Sequence, residues 1–279
     1  MKKIGFIDYY LDEWHAEKYP EWIETASEGR MKVTYAYGKT NLEGKLSNSA
    51  WCEKKGIQLL DSIESVVEQS DYLIVLSPDH AEFHEELSQL PLRSGKPTYV
   101  DKTFAPDRAA AIRMFELAEQ HRTPMYSTSA LRFAAEYTEL KMEGIESICA
   151  LGPGSFETYA IHQVEPIVAL MGTDVKRVMW TGTPNAPSLV IGFADGRQAT
   201  INHYGPNCPF SMALRSAQGE SQFLKIDSNF FEAFIANLVR FFDTGVPAVP
   251  REETIAIAAI LEVGKKAAVS PFQWVDLPS

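Results

Sequence analysis

The chain has 279 residues, enough for one large domain or two of medium size. Its formal net charge of −11 at neutral pH argues against non-specific attachment to nucleic acid or to an anionic membrane surface. No apolar run is long enough to span a bilayer and no signal peptide is legible. The three cysteines, Cys52, Cys149 and Cys208, lie far apart without metal-type spacing and read as reduced thiols of a cytoplasmic protein.

Lys3 to Ile7 read as a buried first strand, followed by Asp8, Tyr9, Tyr10, Leu11, Asp12, Glu13, Trp14 and His15. A helix is expected from about Tyr19 to Ser27, with Pro20 near its start, and MKVTYAY gives a second strand. Asp61 and Glu64 have the spacing of a capping box, which opens a helix to about Gln69. DYLIVLS is a strand covered on both faces, and a helix from about Ala81 to Leu90 follows it. KPTYVD is the next strand. Pro106 and Asp107 open a helix with Ile112, Phe115 and Ala118 on one face, and PMYST is the last strand of this half. Repeated β-α-β units imply a doubly wound parallel sheet.

The pattern changes near Ser129. SLVIGFADGRQATINHY carries Asp195-Gly196 between two strand-like runs, a hairpin signal that predicts antiparallel pairing. A helix is expected over Ser228 to Asp243, with Phe231, Phe234, Ile235, Leu238 and Phe242 on one side, and a last helix over about Glu252 to Ala268. The chain therefore reads as an α/β protein in two domains. Residues 1–128 form a Rossmann-like half, and residues 129–279 an α+β half with a mostly antiparallel open sheet.

The succession "LIVLSPDHAEFHEEL", "SGKPTYVDKTFAPDRAAAIRMFELAEQ", "MYSTSALRFAAEY", "ETYAIHQVEPIVALMG" and the closing "FFDTGVPAVPREETIAIAAILEVGKKAAVS" resembles the Gfo/Idh/MocA family of NAD(P)-dependent oxidoreductases over nearly the whole length. Asp101-Lys102-Thr103 resembles the family's Glu-Lys-Pro, with the proline replaced. Ser77-Pro78-Asp79, with His84 after it, resembles the family's Thr-Pro-Asn followed by His, here two residues farther on. His162, followed by a helix and Met171-Gly172, resembles the family's catalytic histidine, and Arg132-Phe133 its domain-junction pair.

The resemblance implies hydride transfer between a nicotinamide and a secondary hydroxyl of a sugar- or polyol-like substrate. Lys102 would polarise the oxygen and His162 would move the proton, both facing one cleft. It implies a cofactor seat that includes Asp8, Tyr9, Tyr10, Ser77, Pro78, His84 and Asp101. It also implies a homo-oligomer through the second-domain sheet. Arg132 would contact a substrate hydroxyl or carboxylate, or else pair structurally between domains. Glu165 would orient His162 or replace a missing acid, because Thr158 stands where the family often has Asp.

Two departures weigh against that function. The glycine-rich phosphate fingerprint is absent, with only Gly5 left inside the strand. No acid stands at the end of the second strand. Lys39 stands there, so NADP would be preferred over NAD if either binds. Asp8, Asp12 and His15 match no metal spacing, and no metal is expected. The tyrosines and acids of this turn read either as a sugar-binding surface or as a packed connector filling an empty cofactor cleft. The alternative function is a non-catalytic ligand-binding or regulatory protein that has lost dinucleotide binding.

Overall fold

Residues 4–7 are all buried and form the middle of the first sheet, as an unbroken strand run predicts. The computed structural model describes residues 1–278. In chain order the first half holds β1 (Lys2–Asp8), α1 (Trp14–Ala26), β2 (Met31–Gly38), α2 (Asn48–Lys55), β3 (Gln58–Leu59) and α3 (Ile63–Gln69). It continues with β4 (Tyr72–Val75), α4 (His84–Arg93), β5 (Thr98–Val100), α5 (Arg108–Gln120) and β6 (Met125–Tyr126). The strands pair in the order β3-β2-β1-β4-β5-β6, all parallel. The chain winds outward from β1 to β3 and restarts at β4. The carboxyl ends of β1 and β4 therefore flank the switch point, where open α/β sheets bind ligands.

Local chemistry explains most of these boundaries, including two that differ from expectation. α1 begins at Trp14, five residues before the expected start. The Glu13 side chain caps it, accepting from the backbone N–H groups of His15 and Ala16, and Pro20 lies inside the helix. The cap of α3 is Ser62, whose hydroxyl accepts from the Ser65 N–H at 3.1 Å, and not Asp61. α2, capped by Ser47 and closed by Gly56 at φ +65°, has a weak apolar stripe and was not legible.

Gly5 answers a packing demand. A methyl group there would run into Val66 and Ser70. Gly5→Ala is expected to cost ~1–3 kcal/mol by overpacking. A urea unfolding midpoint that does not move would show that Val66 and Ser70 give way.

The second half holds α6 (Ala135–Thr138), β7 (Ile145–Gly152), α7 (Phe156–Met171), β8 (Val175–Thr183), β9 (Ala186–Phe193) and β10 (Gln198–His203). β11 (Ser211–Ser216), β12 (Ser221–Lys225), α8 (Phe230–Thr244), α9 (Arg251–Ala267) and β13 (Trp274–Asp276) complete it. Its sheet runs β12-β11-β7-β10-β9-β8-β13, antiparallel except for the parallel pair of β7 and β10. The Asp195-Gly196 hairpin forms between β9 and β10, with Gly196 at φ +92°. Ile148, Val178, Leu189, Ile191, Ile201 and Met212 on one face pack in a core with Val164, Ile167 and Val168 of α7 and Ile260 of α9.

Two compact units result, and they do not coincide with the two halves of the sequence. The first takes Met1–Thr128 together with Glu232–Arg251, and the second takes Ser129–Phe231 with the residues from Glu252 on. Residues 232–251, expected in the second domain, thus belong to the first unit. Aromatic packing is the reason. Phe234 lies 5.7 Å from Tyr19 and 5.6 Å from Tyr99, ring centre to ring centre. Phe241 lies 4.8 Å from Tyr126 at 73°, and Phe242 stacks on Tyr72 at 4.8 Å.

Candidate ligand site at the carboxyl ends of the first sheet

The turn after β1 ties up its own backbone donors. Asp8, the last residue of β1, is 1% exposed and accepts the Tyr9 N–H at 2.7 Å through one carboxyl oxygen. Its other carboxyl oxygen has no hydrogen-bond partner among the described residues. The Leu11 N–H goes to the Asn48 side chain at 3.0 Å, and the Glu13 N–H to the Leu11 carbonyl at 2.9 Å. Glu13 takes the next two free donors, the His15 N–H at 2.6 Å and the Ala16 N–H. Burial pushes the Asp8 carboxyl well above its ordinary range, and the neighbouring Glu13 adds to this. Burial likewise pushes Glu13 up to about 7, against the pull of His15 and the two N–H groups.

Asp101 follows β5 and is fully buried. It binds the His15 ring, the Tyr99 hydroxyl at 3.2 Å and the Lys102 N–H at 2.8 Å. Burial pushes its carboxyl up, but His15 and Lys102 outweigh that and hold it below the usual range. Lys102 is only 9% exposed, and its ammonium lies 3.4 Å from the Pro78 carbonyl and 3.8 Å from the Asp79 carboxylate. Asp8, Glu13, His15, Asp101 and Lys102 thus gather at one end of the sheet.

The remaining expected cofactor residues are placed differently. His84 is fully buried, with one ring nitrogen on the Leu76 carbonyl at 2.6 Å and the other on the Phe104 carbonyl at 3.0 Å. Burial lowers its pKa against the pull of these carbonyls, and with both ring nitrogens on the chain's own carbonyls the ring ties two loops together and has no nitrogen left for a ligand. Ser77 is buried at φ +82° and donates to the His80 carbonyl. Tyr9 stacks on Phe83 at 4.1 Å and 7°, joining the turn after β1 to the turn after β4. Tyr10 is half-buried beside Tyr9. Lys39 reaches Glu86 at 2.6 Å and lies over the Phe83 ring, so a 2′-phosphate there would compete with a carboxylate already in place. Asp12 accepts the Leu46 N–H at 2.8 Å.

In the second unit His162 sits midway along α7, and not at the start of a helix. Its Nδ1 is 2.7 Å from the buried Ser129 hydroxyl. Glu165 is buried and accepts the Ser129 N–H at 2.6 Å, so it holds the residue that meets His162. Arg132 pairs with Glu253 and lies 3.6 Å from Glu165. Of its two expected roles, the structure shows an ion pair inside this unit. Thr158 is exposed and 3.3 Å from Ser155.

Sequence reasoning weighed Glu13 and His15 as part of the turn after β1 without foreseeing the helix cap or the Asp101 contact, and it missed Phe83 and Ser129. Glutamate is not a favoured N-cap, so the Glu13 cap left no ordinary signal. His15 and Asp101 are 86 residues apart, and only the parallel sheet brings them together.

No protein-family model and no curated protein matches the sequence. Solved structures do. A probable dehydrogenase from Thermotoga maritima superposes with a TM-score of 0.80 at 15% identity, covering 98% of each chain. The fold is that of the two-domain dehydrogenases. A putative myo-inositol dehydrogenase from Sinorhizobium meliloti 1021 gives 0.78 at 12% identity over 100% of both chains. GenD2 from gentamicin A biosynthesis, solved in complex with NAD, gives 0.78 at 11% identity over 100% of this chain and 97% of its own.

A dinucleotide in such a fold lays its pyrophosphate on the turn after the first strand, against the N-terminus of the first helix. The residues present do not fit that group. The Tyr9, Leu11, His15 and Ala16 donors are taken by the chain's own side chains, and three buried carboxyl groups surround the seat.

Proposed function

We propose that this protein recognises a sugar- or polyol-like small molecule on a scaffold of the Gfo/Idh/MocA type. Lys102 would hold one of the ligand's oxygens, and His162 is the second unit's candidate for moving a proton. The observation that carries this reading is the Lys102 ammonium, buried at the carboxyl end of β5 beside a carboxylate kept charged by His15. A buried ammonium whose contacts are long, with a carbonyl at 3.4 Å and a carboxylate at 3.8 Å, retains donor capacity for a hydroxyl or carbonyl oxygen. His162 meets the Ser129 hydroxyl through Nδ1 at 2.7 Å, and an imidazole is the side chain suited to moving a proton near neutral pH.

Two readings share these residues. One is an oxidoreductase that uses NADP or NAD, supported by the dehydrogenase fold. The other is a non-catalytic ligand-binding or regulatory protein. The observation that favours the second is the Glu13 cap over the helix N-terminus where a pyrophosphate would lie. In either reading the outer face of the second sheet, where Phe223 is exposed, is the proposed surface for self-association.

Calorimetric titration with a panel of inositols, alditols and hexoses tests the proposal. At least one compound is expected to saturate. Lys102→Met should weaken it by about one to two decades, the worth of a charge-assisted hydrogen bond of ~1.5–3 kcal/mol. A panel with no binder, or a Lys102→Met protein that binds equally well, would discard the assignment. Turnover of a bound polyol with NADP⁺ or NAD⁺, lost in His162→Asn, would select the oxidoreductase.

A further inference from the structure

We infer that the protein's own first turn takes the place of a dinucleotide's pyrophosphate, with the Glu13 carboxyl group seated on the N-terminus of α1 and Asp8 and Tyr10 closing the approach. This goes beyond the polyol reading above, which stands on Lys102 and His162.

The spacing is the first argument. A dinucleotide fingerprint places glycines at the first, third and sixth positions of the strand-to-helix turn. Counted from the end of β1, those positions are Asp8, Tyr10 and Glu13. Each replacement opposes one task of the glycine it displaces. The first glycine permits the tight turn, and Asp8 instead folds a carboxyl oxygen back onto the Tyr9 N–H. The second lets a phosphate approach the backbone, and Tyr10 puts a half-buried ring there. The third allows helix and strand to pack closely, and Glu13 instead fills the helix end with a side chain.

The donor inventory is the second argument. An anion is held at such a turn by free backbone N–H groups and the positive end of the helix dipole. Here the His15 and Ala16 N–H groups both end on Glu13, the Leu11 N–H on Asn48 and the Tyr9 N–H on Asp8. An incoming pyrophosphate would find these donors occupied and its space taken by the buried Asp8 and Glu13 carboxyl groups, and it would face the charge of Asp101 in a buried setting, where like charges are poorly screened. Closure by aromatic stacking is the third argument. The Tyr9 ring lies on Phe83 at 4.1 Å, so the turns on either side of the switch point touch.

The test is to restore the glycines. The native protein, Glu13→Ala, and the triple variant Asp8→Gly, Tyr10→Gly, Glu13→Gly are titrated with NADH and NADPH by fluorescence and calorimetry. The native protein is expected to show no saturable binding at millimolar concentration. Freeing the two helix donors in Glu13→Ala should give measurable binding, and the triple variant should gain about tenfold or more over native. Saturable binding of either nucleotide by the native protein overturns the inference and leaves the polyol reading standing. Folded variants that gain nothing also overturn it. If the triple variant does not fold, Glu13→Ala and the native titration decide. A polyol panel without a binder leaves the inference intact.

Discussion

Replacing Phe241 by alanine is expected to cost ~3–5 kcal/mol of folding free energy, the range for truncating a fully buried aromatic ring. Phe241 is 1% exposed and meets Tyr126 edge-to-face, next to Phe242, which stacks on Tyr72. Tyr126 and Tyr72 belong to strands of the first sheet, and α8 supplies the cover for that sheet from late in the chain. The surroundings are rings, which collapse poorly into a cavity, so the upper half of the range is expected. Urea unfolding followed by tryptophan fluorescence reads the loss. A cost below about 1 kcal/mol would show that α8 is an accessory to the first unit and not part of its core. By the same reasoning, residues 1–128 expressed alone should fail to give a cooperative transition, because their aromatic face would be bare.

The second large effect is a pH dependence centred on Glu13. Burial raises its carboxyl to about 7 in the folded protein. In the unfolded chain it titrates near its ordinary value of ~4.3. Between those values the folded state keeps a proton that the unfolded state has released. The resulting stabilisation is present in full below about pH 4.3 and is lost as the pH rises through about 7. Linkage at ~1.4 kcal/mol per unit sets a ceiling of ~3–4 kcal/mol. Asp8, also raised by burial, acts in the same direction. Asp101 acts oppositely. Its lowered value contributes stability that is present above about 3.9 and lost as the pH falls through the folded value, outside this window. Unfolding free energies of the native protein and Glu13→Gln, compared at about pH 5 and about pH 7.5, isolate the glutamate. Native minus variant should fall by ~2–3 kcal/mol over that interval. A difference that stays constant would mean that Glu13 ionises as an exposed acid does.

Much of the first sheet was written in local pattern. Apolar runs of four to seven residues, separated by helical segments, leave few ways to bury both faces except a parallel sheet. The hairpin at Asp195-Gly196 was legible because only a few residue pairs accept its backbone angles. The end of β5 was also legible as a place for function, since Lys102 follows a buried strand in a doubly wound fold. Where amphipathic periodicity is weak, as in α2, or where a cap uses an unusual residue, as in α1, local reading stops short.

What the sequence by itself determined about this protein is therefore its element types, its two sheets, the loss of the glycine-rich turn and the candidacy of Lys102 and His162. The tertiary structure alone decided three further things. It assigned α8 to the first unit, because an aromatic stripe on a helix does not say which core will receive it. It withdrew His84 from the ligand, because both ring nitrogens meet carbonyls of loops distant in sequence. It also turned a string of large and acidic residues after β1 into a filled anion seat. That seat depends on where the Glu13 carboxyl and the first N–H groups of α1 meet, and on Asn48 and Asp101 arriving from elsewhere in the chain. Directional hydrogen bonds between residues tens of positions apart leave no periodicity in the sequence, and only the folded sheet brings the partners within reach.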